Sequence, residues 1–209
     1  MTPGSYFLLA YWSEDGNKTY TARDPIDVGI SDLEGVSLTI TQGVEVRGRL
    51  RVEGNTELNL SDVQIFLRPP PDMPMGGAVA RVRSDGSFVI QNVADGSYRV
   101  GVYGMSEDFF LKSGRAGDED LLDAGLAISR GQSPGSLELV VSSAAGRVDG
   151  VVFGEQKQPF SGASVVLVPD PPYRSRTELY KTTTTDQTGG FTLRGIAQGE
   201  YKLFAWEEI

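Results

Sequence analysis

The sequence predicts an all-β chain of tandem Greek-key β-sandwich modules, one complete and two partial, and three observations lead there. Blocks of residues recur in the same order about 100 positions apart, apolar and polar residues alternate within each block, and 26 Gly and 11 Pro are spread through the 209 residues. Self-similarity at a fixed period marks a repeat architecture. Alternation with period two marks strands buried on one face. Dispersed Gly and Pro suit short strands and tight turns and disfavour long helices.

The repeat fixes the register. Residues 85–103 read DGSFVIQNVADGSYRVGVY, and residues 189–206 read GGFTLRGIAQGEYKLFAW. Phe88, Val93, Gly96 and Tyr98 thereby match Phe191, Ile196, Gly199 and Tyr201. Upstream, residues 46–50 match 148–152, and residues 63–69 match 163–169. A further Gly-x-Tyr, Gly4-Ser5-Tyr6, lies near the start. This register divides the chain into the C-terminal part of a truncated module (1–43), a complete module (44–146) and the N-terminal part of a third, truncated at Ile209 (147–209).

Alternation then assigns faces. Tyr98, Val100 and Val102 are expected inward with Arg99 in water, and Tyr201, Leu203 and Ala205 inward with Lys202 outward. The threonines of residues 180–185 are β-branched and fit a half-exposed strand. Asp85-Gly86 and Gly189-Gly190, each preceding Phe-x-(Ile/Leu), read as hairpin turns. Residues 13–18 read as another hairpin turn, and Gly96 and Gly199 as a turn or positive φ at the start of the Tyr strand. Residues 118–127 have room for one helical turn. About 100 residues with about seven short strands is the pattern of a Greek-key sandwich.

These residues resemble the carboxypeptidase regulatory-like (transthyretin-like, prealbumin-like) modules. The motif is closest in the third block: Gly150-Val151-Val152, Gly162-Ala163-Ser164-Val165-Val166-Leu167, Gly190-Phe191-Thr192-Leu193, Gly195-Ile196 and Gly199-Glu200-Tyr201-Lys202-Leu203. In the middle block Ser61-Asp62 replaces Gly-Ala, and in the first only the Gly-x-Tyr remains. The resemblance implies tandem modules of bacterial envelope or secreted proteins, or accessory domains beside a zinc carboxypeptidase or before an outer-membrane transporter barrel. The family overlaps a carbohydrate-binding-like fold. The zinc ligands of the associated peptidase domain are histidines, and this sequence has none.

Composition narrows the chemistry. Net charge is −9, with a sequence pI near 4.6, so a phosphate backbone is repelled and nucleic acid is not an expected partner. The absence of Cys and His excludes disulfides, Cys or His nucleophiles, Ser-His-Asp triads and Cys/His zinc sites. No apolar run reaches a membrane-spanning length, and the first residues do not read as a signal peptide. No Walker loop, nucleotide fingerprint or Gly-x-Ser-x-Gly elbow occurs, so neither a catalytic residue nor a cofactor is expected.

Four features stand out as sites. The Pro-rich segments 69–77 and 170–176 fall at equivalent positions, and offer Met73 and Met75 or Tyr173 and Arg176 as partner contacts if they project. They serve equally as stiffened connections between strands. Tyr11, Tyr103 and Trp206 recur just beyond the Tyr strand, and Tyr103 and Trp206 could stack on sugar faces or pack on the sheet exterior. Asp118, Glu119, Asp120 and Asp123 are the densest acids, without EF-hand spacing. Lys18, Lys112, Lys157, Lys181 and Lys202 read as exposed, which argues against an intramolecular isopeptide link.

The leading expectation is a non-catalytic spacer or adhesion segment of a larger envelope or secreted protein. Its partners would be neighbouring modules of the same chain, with a glycan or protein as a further partner. The alternatives are a carbohydrate-binding-like module, read through Tyr103, Trp206 or the Pro loops, and an accessory domain of a carboxypeptidase or transporter.

Overall fold

The structure, a computed structural model, describes residues 2–14, 18–71, 77–129 and 131–207. Gly4–Glu14 (β1) and Lys18–Val28 (β2) pair along their whole lengths, and Thr41–Gln42 (β3) extends that sheet. Next come Val44–Glu53 (β4), Gln64–Arg68 (β5), Ala78–Arg81 (β6), Ser87–Val93 (β7) and Gly96–Tyr103 (β8). Phe110–Ala116 (β9), Glu119–Asp120 (β10), Leu126–Ile128 (β11) and Leu137–Ser142 (β12) follow. Gly146–Val151 (β13), Ala163–Pro169 (β14), Lys181–Thr184 (β15), Gly190–Ile196 (β16) and Tyr201–Glu207 (β17) complete the order. Helix among the described residues is confined to three short 3-10 turns.

The all-β sandwich class expected from the alternation is the class observed. Between Val44 and Ser142, one sheet has the order β10-β9-β12-β4-β7 and the facing sheet β11-β8-β5-β6. Their inner faces meet in one core. Val46, Leu50, Phe88, Ile90, Leu137, Leu139 and Val141 come from the first sheet; Ile65, Leu67, Tyr98, Val100, Leu126 and Ile128 from the second. Strand β12 runs parallel to β4, with Leu137 opposite Gly48 and Ser142 opposite Glu53. Gly48 allows this close packing: a Cβ there would stand 2.2 Å from the Phe88 ring and 2.7 Å from the Leu137 carbonyl oxygen.

Strands β13–β17 repeat part of the pattern. β13 pairs with β16, and β14 lies between β15 and β17. Val165, Leu167, Leu193 and Ile196 form a smaller core, with Val148, Phe191 and Tyr201 half-buried against it. The sheet of β1–β3 contributes no residue to either core.

Each Gly-x-Tyr has a common cause. Tyr98 donates its hydroxyl proton to the Ala94 carbonyl (2.8 Å), Tyr201 to that of Ala197 (3.0 Å) and Tyr6 to that of Thr2 (2.7 Å). The phenol thus closes the chain four residues upstream, a tyrosine corner of the kind known from β-sandwiches. Of the three preceding glycines only Gly96 has positive φ (154°). Gly199 leaves room for the ring, since a Cβ there would stand 3.3 Å from that of Tyr201, whereas one on Gly4 would make an ordinary 3.6 Å contact with that of Tyr6.

Two expectations need correction. The turns at Gly86 and Gly189 do not make hairpins, because β6 and β7, like β15 and β16, lie in different sheets. Each turn is an arch clipped to the first strand of its repeat. Leu50 N–H donates to the Gly86 carbonyl (2.8 Å), and Val152 N–H to that of Gly189 (2.9 Å). The hydroxyl and amide of Ser87 donate to Asp85, and those of Thr188 to Asp186, and these bonds hold both carboxyls below their ordinary range.

The second correction concerns β17. Leu203 is 46 % exposed and Ala205 is exposed as well, whereas Val100, the counterpart of Leu203, is 7 % exposed. Alternation sets which residues share a face, but β9 and β12 complete the cover over the middle core. No described strand takes their place over β17.

Candidate functional site

The repeated strands carry an irregularity that shapes their ends. Pairing of β4 with β7 slips between Val44 and Val46, and pairing of β13 with β16 slips between Gly146 and Val148. The extra residue is accommodated by a left-handed backbone at Asn92 (φ 56°) and at the equivalent Gly195 (φ 62°). Gly and Asn are the residues that tolerate this conformation in a β-bulge. The bulge re-aims the backbone toward the preceding unit. A Cβ on Gly195 would lie 2.4 Å from the Glu107 carbonyl oxygen and 2.8 Å from that of Phe109.

Charge complements that contact. Arg194 reaches Asp108 at 3.3 Å, and Arg176 lies 4.0 Å from Asp123 while holding Glu178 at 2.7 Å. Lys181 is half-buried, and desolvation pushes its amine below the usual lysine range while the Glu107 carboxylate opposes that shift. Arg147 is kept bidentate on Asp149 at 2.7 Å. The residues 107–123 therefore present acids to three bases of the last repeat, across a close backbone approach. Partly exposed pairs contribute little stability each, so they orient the joint more than they strengthen it.

Two clefts open beside the tyrosine corners. The larger, about 600 Å³, lies between Leu9, Tyr11 and Arg23 of the first sheet and Val79, Asn92 and Asp95 of the sandwich. Asp95 accepts from the Gly131 amide (3.0 Å) and the Thr41 hydroxyl (3.4 Å). The smaller, about 370 Å³, is bordered by Phe110 and Lys112 on one side and by Tyr173, Arg176, Glu200 and Tyr201 on the other. Both clefts combine a corner and the end of a Pro segment from one repeat with a strand of the unit before it.

The sequence-derived candidates are not brought together at one centre. Arg176 is largely buried and Tyr173 exposed, with the guanidinium 5.8 Å from the Tyr173 ring centre. Arg176 is thus engaged within the chain at the second cleft, while Tyr173 keeps an exposed ring there. Met73 and Met75 lie outside the described residues. Tyr103 is 53 % exposed, stacks on Phe66 at 4.2 Å and hydrogen-bonds Arg68 at 3.0 Å. Trp206 is 51 % exposed on a different sheet.

In the acidic cluster, Asp120 caps a turn, accepting from Leu122 N–H at 2.8 Å. Ala124 N–H to Asp120 and Gly125 N–H to Leu121, at 3.1 Å each, close that turn; where one helical turn had room, the chain makes a hydrogen-bonded turn and no helix. Lys181 is the departure from the exposed-lysine expectation. Arg194, Glu107 and Asp108 were not marked by sequence. The signal was the Asn/Gly interchange at 92 and 195, which points to a left-handed residue and so to a bulge.

No protein-family model matches the chain, and no curated protein matches it. Among solved structures, the chain is similar to a Streptococcal ancillary pilin at 15 % identity and a TM-score of 0.32. That match covers 99 % of this chain and 67 % of the other. It is also similar to the Bacillus anthracis TIE protein at 12 % identity and a TM-score of 0.29, over 99 % of this chain and 41 % of the other.

Proposed function

We propose that the chain is a non-catalytic segment of a cell-surface or secreted protein, in which tandem β-sandwich modules bounded near residues 44 and 147 hold each other at a set spacing. The observation that carries this reading is the joint around Gly195. The bulge, the Pro segment and the ion pairs of the last repeat all engage the sandwich before it. Arg176 of the last Pro segment turns toward Asp123, and Asp85, Asp120 and Asp186 serve turns. The partner that this favours first is the neighbouring module. Small-angle scattering of the whole chain tests it: a rigid intramolecular distance distribution that loosens in Arg194→Ala/Arg176→Ala supports the reading. A wild-type chain already as flexible as that variant sinks it.

A second reading is supported by the Phe66–Tyr103 stack. It leaves a half-exposed ring beside Arg68, an arrangement suited to the apolar face of a sugar. Titrating glycans against the chain and Tyr103→Ala decides it; absence of any Tyr103-dependent binding across glycan classes removes it.

A further inference from the structure

The outer face of the sheet β11-β8-β5-β6 can be read row by row from its register. Ile65, Leu67, Tyr98 and Val100 point into the core, so Phe66, Arg68, Arg99, Gly101 and Tyr103 lie on the opposite face. Phe66 stands between Gly101 and Val79, and Gln64 between Tyr103 and Arg81. Gly101 lets the Phe66 ring lie down across the sheet, since a Cβ there would stand 2.1 Å from it. Tyr103 stacks on that ring at 4.2 Å with 22° between the planes, and the exposed Val79 continues the apolar row. With strands about 4.8 Å apart, the row spans about 10 Å across three strands.

Arginines flank this row on both sides. Arg68 donates to the Tyr103 hydroxyl at 3.0 Å and holds its guanidinium 5.3 Å from the Phe66 ring centre. Arg99, directly opposite Arg68, is turned onto the carbonyls of Leu122 (3.3 Å) and Asp123 (2.9 Å). Like charges opposite each other weaken a strand pair. Yet among the described residues no carboxylate forms an ion pair with Arg68, Arg81 or Arg99, in a chain with 28 acids to 19 bases. Guanidinium forks beside a flat aromatic surface suit an anion with a flat apolar body.

We propose that this face binds an acidic glycan, a chain of uronate sugars. One sugar ring lies on Tyr103 with its carboxylate on Arg68, and the carboxylate of the next unit lies toward Arg81. This inference rests on the reading of Tyr103 as a sugar platform and adds the charge of the sugar to it. A net charge of −9 repels acidic ligands as a whole, so a preference for the acid has to come from these arginines.

The test is calorimetric titration of the whole chain with galacturonate and mannuronate tetrasaccharides, each as the free acid and as the methyl ester. The acid of at least one should bind about tenfold tighter than its ester at low salt, with the difference shrinking as salt rises. Arg68→Gln/Arg81→Gln should bring acid and ester to parity or invert them while the ester's affinity stays, and Tyr103→Ala should lose both. Esters that bind through Tyr103 as tightly as the acids overturn the proposal and leave the sugar platform standing. A tetraglutamate peptide that competes as well as the acids overturns it in favour of an acidic protein partner. Binding by neither form, or binding that survives Tyr103→Ala, removes the platform and the proposal together.

Discussion

Replacing Tyr98 with Phe removes one oxygen from the middle core and little else. Tyr98 is 2 % exposed, and its hydroxyl donates at 2.8 Å to the carbonyl of Ala94, itself 5 % exposed. The loss combines a net hydrogen bond of about 1 kcal/mol with a buried carbonyl deprived of this donor, which costs about as much again. We expect about 2 kcal/mol. For a unit of about 100 residues this corresponds to about 8–16 °C in melting temperature. The same change at Tyr201, half-buried, should cost about 1 kcal/mol, and at Tyr6, whose bond is exposed, about 0.5 kcal/mol or less. Trp12 and Trp206 lie outside residues 44–142, so indole fluorescence is blind to the middle core. Far-UV melting, together with amide exchange in β7 and β8, is the suitable assay. Equal losses at all three tyrosines would refute the argument, because burial is the only term that separates them. So would a Tyr98→Phe chain as stable as wild type.

Further outcomes follow from the same geometry. Burial raises the Tyr98 phenol to about 12, so its contribution is complete below pH 10 and is lost as pH rises through 12; Tyr98→Phe should flatten that alkaline loss in a pH series of melts. Asp85 and Asp186 are held below their usual range by Ser87 and Thr188, so their contributions persist above pH 4 and fade as acid protonates the folded form. Asp85→Asn/Asp186→Asn should make acid unfolding less steep in circular dichroism. Gly48→Ala drives a methyl to 2.2 Å from the Phe88 ring and should cost about 3 kcal/mol, while Gly150→Ala meets only the half-buried Phe191 ring at 2.6 Å and should cost about 1 kcal/mol; denaturant midpoints compare them. Gly195→Val forces a β-branched residue to φ 62° and 2.4 Å from the Glu107 carbonyl, so exchange should quicken in β16 and residues 107–109 and stay unchanged in β12.

The strand blocks were legible because their burial is periodic, and the repeat aligned them without any structure. What alternation leaves out is partnership. Nothing local to Asp85-Gly86 says whether β6 and β7 share a sheet, and the arch depends on Leu50, far upstream in sequence. Leu203 was misassigned for a similar reason: its cover is decided by strands that β17 itself does not encode. At the joint, Arg176 was singled out by its loop's composition and Asp123 by the density of acids around it, yet nothing local to either pairs the two. The one local clue was Asn92 standing where the last repeat has Gly195. Shared tolerance for a left-handed backbone is a physical property visible in one-letter code.

The parallel pairing of β12 with β4 has a consequence for pulling on the chain. Tension enters the middle repeat at the start of β4 and leaves at the end of β12. The two strands are neighbours pointing the same way, with six residue pairs in register. Opposite ends are therefore dragged past each other, and the ladder between them resists in shear, all its hydrogen bonds strained together rather than opened one after another. In a stretching experiment residues 44–142 should therefore yield abruptly and at high force.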